Sequence, residues 1–86
     1  MKETEKILKA LANRRRLAIL KYIHKVHRAS VGDIAKEIKL SFKATSKHLG
    51  VLRSADLVDR EQKNLMMLYG LNEPINPILK TTLQII

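Results

Sequence analysis

Set at about 100° per residue, positions 42–54 separate into two faces of a helix. Thr45, His48, Leu49 and Leu52 fall on one side and read as packing residues. Lys43, Lys47, Gly50 and Ser54 fall directly opposite, with Ser46 at their edge. The chemistry open to this second set is noncovalent. Lysine ammonium groups pair with phosphates or guanine acceptors, a serine hydroxyl bonds to either, and a glycine lets another backbone come close. Ser41 as N-cap, with Ala44 and Arg53, completes the candidate contact set, which suits a helix entering the major groove of a duplex. An ordinary solvated lysine face has the same composition, and the helix alone does not decide between them.

Charge distribution favours the duplex. The chain carries a formal net charge of +9 and has a pI near 10.2, which points to a polyanion. Lys6 to Gly32 contains eight Lys/Arg residues and no acid. Between Glu37 and Asp56 stand Lys39, Lys43, Lys47 and Arg53, again without an acid. From Leu65 onward only Glu73 and Lys80 are charged, so the basic face belongs to the first two thirds. No apolar run approaches the ~20 residues of a membrane span, and the first residues hold no apolar signal core. A cytoplasmic location with no membrane partner is expected.

Covalent catalysis has little to work with. There is no cysteine, no glycine-rich phosphate loop and no pair of carboxylates beyond surface acids, so an enzyme is not expected. His24 and His27 lie three apart and could share a helical face as two metal ligands, but no third ligand is evident. Two solvent-facing histidines on a basic helix are far commoner. His48, on the packing side, reads as a partly buried residue with its hydrogen bonds satisfied. We expect no metal and no cofactor.

The elements that must hold these residues follow from periodicity. Ile7, Leu8 and Leu11 mark a short amphipathic helix over Thr4–Leu11, and Asn13 breaks it or caps the next. Leu17, Ile19, Leu20, Ile23 and Val26 carry a second helix to about His27. Ser30, with Asp33 three residues on, caps a third through Ile34, Ala35 and Ile38. A tight turn at Leu40-Ser41 joins it to the fourth, giving a helix-turn-helix pair, and Asp56 closes that helix. Leu57–Arg60 and Met66–Tyr69 read as strands around Gln62-Lys63-Asn64. Asn72-Glu73-Pro74 breaks the chain, and Pro77 opens a final helix bearing Ile78, Leu79, Leu83 and Ile86. The expected fold is mainly α with a small β-hairpin (α+β), in the order α-α-α-α-β-β-α. With 86 residues it is one domain, 1–86, with an aliphatic core, since Tyr22, Phe42 and Tyr69 are its only aromatics. So short a chain without disulfides favours oligomerisation.

Three stretches carry a resemblance: Leu11-Ala12-Asn13-Arg14-Arg15-Arg16-Leu17-Ala18-Ile19-Leu20, Ser30-Val31-Gly32-Asp33-Ile34-Ala35, and Leu40-Ser41 with Ser46 through Val58. They resemble the ArsR/SmtB family of bacterial and archaeal repressors over about residues 8–72. Ser-Lys-His-Leu and Leu-Arg-x-Ala-x-Leu-Val, within 46–58, are the most specific part. The resemblance implies a winged helix-turn-helix in which helix 42–54 reads DNA, hairpin 57–71 is the wing, and helices 1–12 and 77–86 dimerise. Arg60 and Lys63 become the wing's phosphate contacts, and Lys63-Asn64 makes its turn in place of the usual tip glycine. Arg16 matches a family arginine and is expected to pair with an acid inside the fold. Arg14 and Arg15 are left to meet phosphate or solvent.

Metal sensing does not carry over. Where many members have Cys-Val-Cys, this chain reads Ser30-Val31-Gly32, and residues 77–86 hold none of the Asp, His and Glu by which others bind zinc. The expected function is a sequence-specific double-stranded DNA-binding transcriptional regulator, acting as a repressor and a homodimer. Ile7, Leu8, Leu11, Ile78, Leu79, Leu83 and Ile86 form the expected subunit interface, unless the tail folds back over its own domain. The rival is a winged-helix protein- or RNA-binding module without operator recognition. Such a module tends to lose the basic face, which Lys43 and Lys47 retain.

Overall fold

Four of the five helices begin on a side-chain cap. Asn13 Oδ1 accepts from the backbone N–H groups of Arg15 and Arg16 at 2.9 and 3.1 Å, and Ser30 Oγ from Asp33 at 3.1 Å. Ser41 Oγ accepts from Ala44 at 3.1 Å, and Asn76 Oδ1 from Ile78 at 2.8 Å, with Pro77 at the first helical position. Each cap satisfies donors that the helix cannot pair itself, and is worth about 1 kcal/mol. The computed structural model describes residues 1–86 as α1 (Lys2–Leu11), α2 (Arg14–Val26), β1 (Arg28–Ser30), α3 (Val31–Ile38), α4 (Phe42–Ser54), β2 (Val58–Lys63), β3 (Met66–Leu71) and α5 (Pro77–Ile85).

The turn between α3 and α4 is set by Lys39, which takes the left-handed conformation at φ 57°. The Leu40 N–H then bonds back to the Ala35 carbonyl at 3.0 Å, and Ser41 starts the next helix. Asp56, also left-handed at φ 58°, ends α4 and turns the chain into the hairpin, where Leu57 N–H bonds to Leu52 O at 3.0 Å. Asn64 provides the positive φ at the wing tip, as the missing glycine requires, although the turn residues are Asn64-Leu65 rather than Lys63-Asn64.

One strand was not expected. β1 makes the order α-α-β-α-α-β-β-α, and the sheet is three-stranded and antiparallel in the order β1-β3-β2. Three residues are too few to show alternation, and β1 exists only because β3 returns beside it, setting Ala29 opposite Tyr69.

The core is aliphatic. Ile19, Leu20 and Ile23 of α2, Ile34 of α3, Leu49 and Leu52 of α4, Leu57 and Leu79 are fully buried, and Tyr69 is the one aromatic in the core around them. Two residues assigned to the subunit interface belong here instead. Leu11 is only 7% exposed and Leu79 not at all, because α5 folds back on α1 and closes the core of its own protomer. Ile7, Ile78 and Leu83 are half-buried against that core, whereas Leu8 remains 52% and Ile85 78% exposed.

Candidate nucleic-acid interface

α4 divides as its periodicity requires. Thr45, Leu49 and Leu52 are buried, and the Thr45 hydroxyl donates to Ser41 O at 2.8 Å, so the one buried polar side chain is satisfied within its own turn. Lys43, Ser46, Lys47, Gly50, Arg53 and Ser54 are exposed, as is Ser41, while Ala44 is half-buried. None of the α4 cations is paired with a carboxylate. Ser41 spends its Oγ as a cap acceptor and its carbonyl on Thr45, so it anchors the helix while its hydroxyl proton stays available.

Gly50 is informative because nothing inside the protein asks for it. Its φ is not positive, and a Cβ built there would meet no atom within 4 Å. Mid-helix glycine costs about 0.5–1 kcal/mol relative to alanine. The missing side chain therefore serves neither backbone nor packing within the chain and leaves the surface of α4 bare at that point.

Arg16 does not pair with an acid. Its Nε donates to Ala10 O at 2.7 Å and its Nη2 to Lys9 O at 3.2 Å, while Nη1 lies 3.4 Å from His48 Nδ1. The stretch from Lys6 to Gly32 offers no carboxylate, and the last carbonyls of α1 lack helical partners, so the guanidinium fork takes those instead. His48 is half-buried beside it. Burial first, then the charges of Arg16, Arg15 and Lys47, holds its pKa below the ordinary 6.5, which fits a neutral ring accepting from Arg16.

The hairpin places its two expected phosphate contacts differently. Strand alternation puts Arg60 on the face of Tyr69, with Nη1 3.5 Å from the Tyr69 hydroxyl, and Lys63 on the opposite face, although both are exposed. A cross-sheet row escaped the sequence reading. Arg28, Gly70 and Asp59 stand side by side on three strands, and Arg28 reaches over Gly70 to Asp59 at 3.1 Å and Glu61 at 3.4 Å. A Cβ at Gly70 would lie 3.0 Å from the guanidinium and 3.2 Å from His27 O, so any larger residue would crowd that path. The wing's two carboxylates are thereby engaged, and Arg60 and Lys63 remain its unpaired cations. Phe42, at the first position of α4, is 63% exposed beside this face. An exposed aromatic there is able to meet a thymine methyl.

The family's metal sites find no donors. Ser30 caps α3 with its hydroxyl, and α5 has no Asp, His or Glu. His27 is not in α2 but at its C-cap, with φ 75°, so it does not continue the helical face of His24, and no third ligating side chain joins the two. No helix is long and apolar enough to cross a membrane.

The family described as "Bacterial regulatory protein, arsR family" matches residues 13–60, from the cap of α2 into the wing. The HTH-type transcriptional regulator YgaV of Escherichia coli (strain K12) is 34% identical over 76 residues, covering 87% of this chain and 77% of that protein. Among solved structures, the homodimeric winged helix-turn-helix DNA-binding domain of Mb0332 from Mycobacterium bovis superposes with a TM-score of 0.86 at 27% identity, over 98% of this chain and 77% of that one. The transcriptional repressor PagR of Bacillus anthracis gives 0.83 at 25% identity, over 98% and 92%. This chain belongs to the arsR family of winged helix-turn-helix transcriptional regulators.

Proposed function

We propose that the protein is a homodimeric repressor that inserts α4 into the major groove of double-stranded DNA and lays the β2–β3 wing along the backbone. The carrying observation is the face of α4: two lysines, an arginine, two serines and a mid-helix glycine, all exposed and without a carboxylate partner. Lys43 and Ser46, in the first turn and a half, reach base edges, with Ala44 and Phe42 beside them for apolar contact. Lys47, Arg53, Arg60 and Lys63 take phosphates. PagR is described as a transcriptional repressor, and here repression would be occupancy of a promoter site. It needs no catalysis and places the protein in the cytoplasm with the DNA.

The dimer is supported by Mb0332, whose domain is homodimeric, and by Leu8 and Ile85, which α1 and α5 leave uncovered. A two-fold axis there sets two recognition helices about 34–36 Å apart and demands a near-palindromic site. No metal releases it, since neither family site has its donors. The test is a gel shift against random duplex, single-stranded DNA and structured RNA, followed by selection of bound duplexes. Duplex preference and a palindromic selected site support the reading. Preference for RNA, or no sequence enrichment, contradicts it.

A further inference from the structure

Four cations converge on one cleft beside α4. Lys6 and Lys9 of α1, Arg16 of α2 and Lys47 of α4 line it, together with Gly50 and Ser54, around a volume of about 520 Å³. No acid lines it, and Glu5 of α1 is an exposed partner of Lys9 at 4.0 Å. Such a pair is heavily screened and leaves the cleft positive. Like charges drawn from three helices repel one another, and the only carboxylates beside them are Glu5, on Lys9, and Glu3 and Asp56, in the adjoining groove next to Lys6.

The shape also waits for a partner. Gly50 removes the side chain that would stand in the cleft without touching anything, and Ser54 adds a hydroxyl at the same wall. Arg16 is held in place by the carbonyls of Lys9 and Ala10 and still has N–H donors to spare. Leu8, the uncovered apolar residue of α1, lies about 160° around that helix from Lys6 but only about 100° from Lys9, with which it shares a groove, so a subunit docked there leaves the Lys6 side of the cleft open.

We propose that this cleft between α1 and α4 binds a phosphate group, with Lys6, Lys9, Arg16 and Lys47 as its cations and Gly50 as its floor. Because Lys47, Gly50 and Ser54 continue the line begun by Lys43, a duplex seated on α4 runs its backbone past this opening, and the phosphate is one of the DNA's own. The proposal rests on the reading of α4 as the DNA-contacting helix. It extends the footprint to α1, which that reading assigns only to dimerisation.

The experiment measures the affinity of the full-length protein for one duplex against salt concentration, for wild type, Lys6→Ala/Lys9→Ala and Lys21→Ala/Lys25→Ala. The last removes the same charge from an exposed part of α2 away from the cleft. Each phosphate contact contributes about −0.9 to the log-log slope. The Lys6/Lys9 variant is expected to lose about 1 to 2 from the steepness of the slope, with affinity at 0.1 M salt down roughly tenfold or more, and the Lys21/Lys25 variant much less. A parallel arm exchanges chloride for inorganic phosphate at constant ionic strength. If phosphate displaces the duplex from wild type but not from the Lys6/Lys9 variant, a free phosphate is an alternative source for the same site. Equal slopes for the two double variants with no phosphate effect overturn the cleft. A wild type that does not bind duplex at all refutes the reading of α4 instead.

Discussion

Gly50 shows how a single residue can point outside its own chain. Replacing it with alanine adds a methyl group to open space and restores helix propensity, so stability should rise by about 0.5–1 kcal/mol, a few degrees in Tm by calorimetry. The same methyl should stand between α4 and DNA and weaken duplex binding several-fold. A glycine kept for packing would show the opposite sign in the melt. His48 gives a pH prediction. Its folded pKa is lowered, chiefly by burial and then by Arg16, Arg15 and Lys47, so the folded state favours the neutral ring. The unfolded chain therefore takes up this proton first, and the stability due to His48 is present above about pH 6.5 and declines as pH falls below it. Chemical denaturation of His48→Gln against wild type should show the variant losing less stability between pH 7 and pH 5. At this scale most candidate positions were legible, because exposure on α4 follows from angle alone. Arg16 was not, since its partners are backbone carbonyls at the end of another helix, and sequence carries no record of an unpaired carbonyl's position.

Among the elements, those with local causes were the readable ones. Asn13, Ser30, Ser41 and Asn76 cap the helices they precede, and the periods of α2 and α4 mark the faces that the structure buries. β1 has no local cause, being defined by its pairing with β3, some forty residues away. With it came the row Arg28–Gly70–Asp59, which spans three strands and cannot be inferred until their register is known. The consequence for the wing is electrostatic. Arg28 neutralises Asp59 and Glu61, and without it two carboxylates would face the backbone that Lys63 is to meet. Arg28→Ala should change stability by less than about 1 kcal/mol, since these are surface pairs. It should nonetheless weaken binding to every duplex several-fold with sequence preference intact, as a titration on selected and scrambled duplexes would show. An unaltered affinity would mean that the wing lies away from phosphate.

At the scale of the whole molecule, the apolar tail has two tasks where a single one was expected. Leu79 and Leu11 complete the protomer's own core, while Leu8 and Ile85 stay exposed, and these two are the proposed seat of a second copy. Sedimentation should therefore separate two kinds of variant. Leu8→Lys/Ile85→Lys should give a folded monomer that binds operator weakly, whereas Leu79→Lys should unfold the chain, because it buries a charge without a partner. The basic character of the molecule is likewise shared between α1, α2, α4 and the wing, and DNA binding depends on those charges meeting phosphate through α4. The most direct test is the salt dependence of duplex affinity, by fluorescence anisotropy on a selected site, for wild type and Lys43→Ala/Lys47→Ala. We predict a wild-type log-log slope near −4 to −5 per protomer, reduced in steepness by about 1 in the variant through loss of the Lys47 phosphate contact, with preference over a scrambled duplex largely lost through Lys43. A slope near zero, or a variant that matches wild type in slope and preference, would contradict the assignment of α4 as the helix that reads DNA.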